Sequence, residues 1–443
     1  MTYIPNADAE RAEMLEALDL RKPDDLFRHL PEKLRLARVE LPPPLAELEL
    51  VQYFRELGRL NQRIPPSHSF LGAGASRRFS PAIVNQVISR PDFYTTYTPY
   101  QAEASQGTLQ ATYEFQTMIA LLTGLDVANA SLYDGATALA EATAMAVAHT
   151  SRQNVVVAGA LHPEYAQVLK TYSDAQDYEI LRVGTSADGR VDLAKLEQAI
   201  TGTTAAVILQ QPNFYGVLEE PQAISELAHR AGSLLIACVD PISLGILAAP
   251  GEYGADLAVG DAQPLGIPLS FGGPYVGFIA CKEALVRRMP GRLAGATVDA
   301  QGRRGYVLTL QAREQHIRRE HATSNITTNH ALMALAATVY LAHMGAGGLK
   351  QLAELSAQRA HHLAAELVKR KGYRLAFDGP YLWEFVVRTP HSADKTQALM
   401  LERGVLPGLP LGRFFPELSD ALMVSVTELN HGPAIDRYLE VLA

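Results

Sequence analysis

From about residue 69 onward, short apolar runs alternate with helical ones: "ANASLY", helix, "NVVVAG", helix, "YEILRV", helix, "AAVILQ", helix, "SLLIACV", then "ADLAV" and "YVGFIA". Runs apolar at nearly every position suit strands buried on both faces, and their alternation with helices predicts a parallel sheet wrapped by helices. Ahead of them, "PLAELELVQYFRELGRLNQ" sets Leu45, Leu48, Leu50, Tyr53, Phe54, Leu57 and Leu60 at mixed spacings of three and four, the period of an amphipathic helix. Beyond them come the strand-like "YVLTL", the stretch "HIRREHATSNITTNHAL" and a long helical segment, then "YRLAF", "EFVVRT", a helix, "LMVSVTE" and a final helix. The pattern divides the chain into a helical arm over 1–65, a large α/β domain over 66–325 and a small α+β domain over 326–443. The longest apolar stretch, "ALMALAATVYLAHM" at 331–344, is short for a membrane span and is broken by His343, so it predicts a buried helix.

Composition narrows the partners. With 48% hydrophobic and 19% charged residues in a chain of 443, a large core is affordable. The net charge of -8 carries no block of like charge that would grip nucleic acid or a membrane surface, so neither is an expected partner. Cys238 and Cys281 sit in apolar runs, as buried strand residues would, which predicts no metal site, no disulfide and a reducing cytoplasm. The acidic start "MTYIPNADAERAEMLEALDL" has neither the basic opening of a secretory signal nor the arginines of a transit peptide, and it reads as mature from Met1. "GAGASRR" at Gly72 follows no predicted strand and reads as an ordinary loop.

A large α/β domain, a long connecting helix and a small α+β domain resemble the aspartate-aminotransferase-like fold, fold type I of the pyridoxal-phosphate enzymes. Local features follow the order that such a pocket requires. In "SLYDGATALAEA" a strand ends and Asp134, Gly135, Ala136 and Thr137 open a helix, where free N–H groups suit a phosphate and an Asp N-cap is the alternative. His162 follows a strand end and could stack on a flat ring or serve as a cap. Asp240 ends "LLIACV", placed to keep a pyridine nitrogen protonated or to cap the turn before Pro241. The next strand end should bring a lysine, and the chain has Gln263; no lysine lies between Asp240 and Cys281. A glutamine amide cannot add to an aldehyde as an amine does. A buried Asp240 then needs another hydrogen-bond partner, for which Gln263 or water is expected.

Three long strings, "TPYQAEASQGTLQATYEFQTMIALLTGLDVANASLYDGATALAEA", "GDAQPLGIPLSFGGPYVG" and "LQAREQHIRREHATSNITTNHAL", with "SFLGAG" near the arm, resemble glycine decarboxylase, the P-protein family of the glycine cleavage system. Family members are one chain of two homologous halves or two separate chains, with the lysine in the second half. The resemblance implies a separate first subunit, and counting back nine residues from Gly272 lands on Gln263 in place of that lysine. It further implies that a second subunit binds pyridoxal phosphate covalently, most simply in an α2β2 assembly. Glycine would lose its carboxylate as carbon dioxide, and its aminomethyl group would pass to the lipoyl arm of the H-protein.

Two segments are candidates for reaching the partner's site: "YTTYTPYQAEASQG", with Tyr97, Tyr100 and Glu103, and "REHATSN", with Arg319, Thr323, Ser324 and Asn325. The first could wall the substrate entrance or form a polar interface. In the second, hydroxyls and an amide could meet a phosphate, or Thr323, Ser324 or Asn325 could cap the helix that "ITTNHAL" opens. Two other functional readings stand beside this one: a catalytically silent scaffold or regulatory subunit, and an independent aminotransferase that uses Lys282.

Overall fold

In the computed structural model, which describes residues 6–36, 39–61 and 64–442, the apolar runs become a seven-stranded sheet. Its strands are β1 (Val127–Ala128), β2 (Asn154–Ala158), β3 (Glu179–Val183), β4 (Thr204–Gln211), β5 (Leu234–Val239), β6 (Leu257–Asp261) and β7 (Gly277–Cys281). They lie in the order β1-β7-β6-β5-β4-β2-β3. β3, β2, β4, β5 and β6 run parallel, as the alternation predicts, whereas β7 is antiparallel to both β6 and β1. The reason is local: a parallel return needs a helical crossover, and residues 262–276 form a loop with no helix. Of "ANASLY" only Ala128 lies in β1, which begins at Val127, and Leu132 forms a bridge to Gly277.

Side chains alternate across the parallel strands. Val156, Ala158, Val207, Leu209, Leu235 and Ala237 join one core, and Val155, Val157, Ala206, Ile208, Ile236 and Cys238 join the other. Both cysteines are free and buried. After β7 comes an antiparallel hairpin, β8 (Leu293–Val298) with β9 (Arg304–Thr309). The sequence reading missed β8 because "LAGATV" is rich in small residues. The hairpin is fastened to the helix Gln106–Thr123: the Gln106 amide brackets Tyr306 at 2.8 Å from either side, and the Gln116 amide does the same to Ala294 at 3.0 and 2.9 Å.

The helix Ala331–Leu367 begins later than "ITTNHAL" suggests, and its N-cap is His330. None of Thr323, Ser324 or Asn325 therefore caps it. Gly345, at φ 60° and ψ 179°, interrupts it. By length and composition this helix could cross a membrane, but Ala337, Tyr340, Ala353, Ala360 and Leu363 are buried along it in the core. The small sheet, all antiparallel, has the order β10-β11-β13-β12, with β10 Arg374–Leu375, β11 Glu384–Arg388, β12 Leu409–Pro410 and β13 Ala421–Ser425.

Both sheets belong to one compact unit, 63–443, and residues 1–62 form another. The N-terminal unit comprises the helices Asp8–Ala17 and Glu47–Arg59 with short 3-10 turns between them, and none of its described residues is buried. Its first five residues lie outside those described.

One close approach fixes the edge of the large sheet. Gly277 exchanges backbone hydrogen bonds with Leu132 at 2.8 and 3.2 Å, and a Cβ on it would lie 2.1 Å from the carbonyl oxygen of Asp134. Gly277→Ala must push the helix Gly135–Thr150 away from β7. Chemical denaturation is expected to show a loss of about 2–4 kcal/mol.

Candidate functional site

The ends of the parallel strands converge on a cavity of about 80 Å³. Ligand pockets for organic cofactors run to roughly 300–1,000 Å³, so this one has room for a few waters only. His162 after β2, Asp240 after β5 and Asp261 at the end of β6 line it, together with Tyr165, Cys238, Trp383, Glu384 and the segment Gly74, Ala75, Ser76. This last segment is the "GAGASRR" loop. It is a loop as expected, but the sequence reading gave it no part in the site.

Gln263 is buried, and its amide is fully committed. Oε1 accepts from Ser76 N–H at 3.1 Å; Nε2 donates to Ser76 O at 3.1 Å and to Ile267 O at 2.7 Å. The residue that stands where a lysine is expected thus clips the loop across the mouth of the pocket. It does not pair with Asp240, the first of the two partners expected for that carboxylate. Asp240 instead accepts from Ile242 N–H at 2.9 Å and from the Trp383 indole, beside the Arg78 guanidinium. Burial still raises its pKa, and those three partners oppose the rise.

His162 caps the helix Pro163–Gln176: its Nδ1 accepts from Glu164 N–H at 3.1 Å. An accepting Nδ1 leaves the proton on Nε2, which donates to Ala73 O at 2.9 Å. The ring stacks on Tyr165 with centroids 4.7 Å apart, and a Cβ on Gly74, at φ 97°, would come within 2.8 Å of it. The space over the ring is therefore taken by the chain itself. Burial lowers the imidazole pKa, so the neutral tautomer persists.

The phosphate cup is closed by carboxylates. Asp134 caps its own helix by accepting from Thr137 N–H at 2.7 Å, and Asp261 accepts from Gly135 N–H at 3.1 Å and Gln263 N–H at 2.8 Å. Ala136 lies half-buried between them. Burial, with Asp134 nearby, raises the Asp261 pKa to about 7. Glu384, which accepts from Ala73 N–H at 3.0 Å, is raised by burial as well. An incoming phosphate would meet Asp261 on the N–H groups that it needs. Asp240 and the His162 ring are retained, but the amine and the anion cup are not, and the residues present do not fit a covalently held pyridoxal phosphate.

Lys282 cannot supply the amine. Its Nζ is 2.6 Å from Asp256 Oδ1, ahead of the first residue of β6, so a whole strand separates it from the cavity at the other end. Asp256 also accepts from Leu235 N–H at the start of β5.

The residues expected to reach a partner lie elsewhere, and Arg292 links Tyr100 to the segment just after Asn325. Tyr97 and Tyr100 are 80% and 68% exposed, and Glu103 is exposed. Tyr100 carries the buried Arg292 guanidinium at 5.7 Å from its ring, and Arg292 in turn donates to Thr327 O and Asn329. Arg319, Thr323 and Asn325 are exposed, and Arg319 holds a left-handed φ of 53°, a strained conformation for a side chain of its size. Ser324 turns inward: its Oγ accepts from Ile326 N–H at 3.1 Å and its hydroxyl bonds the buried Glu141, whose pKa burial raises to about 7. One further residue escaped the sequence reading. Phe271 is fully exposed at φ 58° on a tip held by Gly272 N–H, Gly273 N–H and the Tyr275 hydroxyl, all donating to Leu269 O.

Fold and pocket define a chain of the fold type I pyridoxal-phosphate-dependent transferase class, with Gln263 where the lysine is expected. The profile of the family "Glycine cleavage system P-protein" matches residues 1–442. Proteins named "Probable glycine dehydrogenase (decarboxylating) subunit 1" are 51% identical over 437 residues in Moorella thermoacetica, covering 98% of each chain, and 51% identical over 443 in Carboxydothermus hydrogenoformans, covering 100% and 99%. The crystal structure of a glycine decarboxylase (P-protein) of the glycine cleavage system, in inhibitor-bound form, superposes with a TM-score of 0.92 at 43% identity over 100% of this chain and 99% of that one. A Lactobacillus brevis glutamate decarboxylase shares the fold at a TM-score of 0.67 and 13% identity, covering 93% and 95%. The chain belongs to the glycine cleavage system P-protein family, as a glycine dehydrogenase (decarboxylating) subunit 1.

Two outcomes check the pocket. Gln263→Lys, incubated with pyridoxal phosphate and reduced with borohydride, is expected to show no more adduct than the wild type. Full labelling at 263 would mean that the cup accepts phosphate. Asp261, held protonated up to about pH 7 in the folded chain and ionised from about pH 4 in the unfolded one, costs stability as pH rises through that window. Asp261→Asn should therefore gain denaturation midpoint relative to wild type between about pH 5 and pH 8. A difference that does not change with pH would contradict this.

Proposed function

We propose that this chain is the half of a two-chain glycine decarboxylase that carries no cofactor lysine. The observation that carries the reading is the Gln263 amide, placed at the end of β6 and fully bonded to Ser76 and Ile267. A second, PLP-carrying subunit of similar fold holds pyridoxal phosphate and supplies its electron-withdrawing chemistry. Glycine is decarboxylated there, and the aminomethyl group goes to the lipoylated H-protein. The pair assembles as α2β2, since closed two-fold symmetry leaves no open interface, and it works in the cytoplasm.

This chain's part is to complete the partner's site. The Arg319 guanidinium can pair with a carboxylate or phosphate in a forked geometry. Thr323 and Asn325 offer a hydroxyl and an amide to the cofactor phosphate, with Ser324 steadying their segment through Glu141. Tyr97, Tyr100 and Glu103 wall the entrance.

Reconstitution with a PLP-carrying second subunit and lipoylated H-protein tests the reading. Glycine-dependent release of carbon dioxide should require both chains. Thr323→Ala, Arg319→Ala and Tyr97→Ala should each cut it by roughly 10- to 100-fold, the range of a lost contact to a charged group. These side chains are exposed, so the isolated chain's melting should barely move. Unchanged turnover in an intact complex would favour the scaffold reading.

A further inference from the structure

Residues 323–327 form an extended strip that belongs to no helix and to no sheet. Its burial alternates: Ser324 and Ile326 turn inward, and Thr323, Asn325 and Thr327 are exposed, the period of an extended chain laid on a surface. Ile326 enters the core with Ala138, Ala142 and Met145 of the helix Gly135–Thr150. Of the strip's backbone groups, the Thr327 carbonyl alone is hydrogen-bonded outside it among the described residues, and the donor is the buried Arg292 guanidinium. The Nη1 of that guanidinium donates to Asn329 Oδ1 at 3.4 Å. Asn329 in turn donates to Ala130 O at 3.2 Å and to Ser131 Oγ at 2.9 Å, so both ends of its amide are taken up. The flat face of Arg292 lies over the Tyr100 ring at 5.7 Å.

We propose that Arg292 is a positioning residue for the reaction: by holding the Thr327 carbonyl and the Tyr100 ring at once, it sets the two segments that complete the partner's site in one frame. This rests on the function proposed above. Among the described residues no carboxylate pairs with Arg292, so it is a buried cation faced by a carbonyl, an amide and a π face. Such a group stabilises a fold less than a well-packed apolar side chain does. What the guanidinium adds is geometry: donors in a fixed fork and a plane that stacks, which reach a carbonyl, an amide and a ring together. No hydrogen bond falls on the Tyr100 hydroxyl among the described residues, so the cation is the directional contact that orients its ring. A lysine in its place keeps the charge, but one nitrogen on a flexible stem cannot hold all three groups.

The test uses Arg292→Lys, Tyr100→Leu and their double variant, each assembled with a PLP-carrying second subunit and assayed with lipoylated H-protein per mole of intact complex. Arg292→Lys should lower glycine turnover about 10-fold, the scale of one lost hydrogen bond to a charged group. It should loosen cofactor retention by a similar factor, read from the visible absorbance of the complex. The melting temperature of the isolated chain should fall by about 4 °C at most. The double variant should lose less than the product of the two single losses, by at least about 3-fold, because both changes release the same ring. A residue that only supports the fold would move melting and the yield of complex, and leave turnover per complex and cofactor retention at wild-type values. That result overturns the proposal, as does a double variant whose losses multiply. If Tyr100→Leu and Thr323→Ala leave turnover unchanged in an active complex, the proposed account of the site fails and this inference with it. If they lower turnover and Arg292→Lys does not, this inference alone fails.

Discussion

A primary amide with every hydrogen-bonding group satisfied is a structural clip, and the Gln263 side chain holds the Gly74–Ser76 loop across the strand ends. Much of the pocket follows from that hold. With Ser76 fixed, Ala73 offers its carbonyl to His162 and its N–H to Glu384, Gly74 covers the imidazole, and Arg78 enters the interior. There Arg78 pairs with Glu428 at 2.8 Å, with 2% and 9% of the two side chains exposed, and lies 5.0 Å from the Trp383 ring centre. Removing one partner from so buried a pair costs more than the pair contributes. The loop, the long helix and the small sheet are thereby locked around a space that elsewhere in this fold takes a cofactor.

The electrostatics point the same way. Asp240, Asp261 and Glu384 meet in one small cavity, and burial pushes each toward its neutral form. A site built for a phosphate dianion exposes N–H groups and positive charge; here the helix N-terminus that would serve is spent on Asp134 and Asp261. The glutamine at the amine's position and the carboxylates in the cup are separate features of the chemistry that act to the same end.

Much of the fold was legible in the sequence because strands buried on both faces leave continuous apolar runs, and six of those runs lie within two residues of strands β2 to β7. The direction of β7 was not legible, since a loop and a crossover leave similar polar gaps. At the site, single-chain chemistry was readable: Asp134, His162, Asp240 and Gln263 are local events at strand ends. What was hidden depended on distance in sequence. Ser76 meets Gln263, and Trp383 and Glu384 meet Asp240's pocket, across gaps that no local pattern records. "GAGASRR" carried the signal of a tight approach in its glycines, and Asp261 stood two residues from Gln263 in "GDAQP".

The central claim is that the covalent chemistry belongs to another chain. The most direct measurement is borohydride reduction of the assembled complex followed by peptide mapping of pyridoxyl-lysine. The account predicts the label on the second subunit alone. Pyridoxyl label on a lysine of this chain would contradict it.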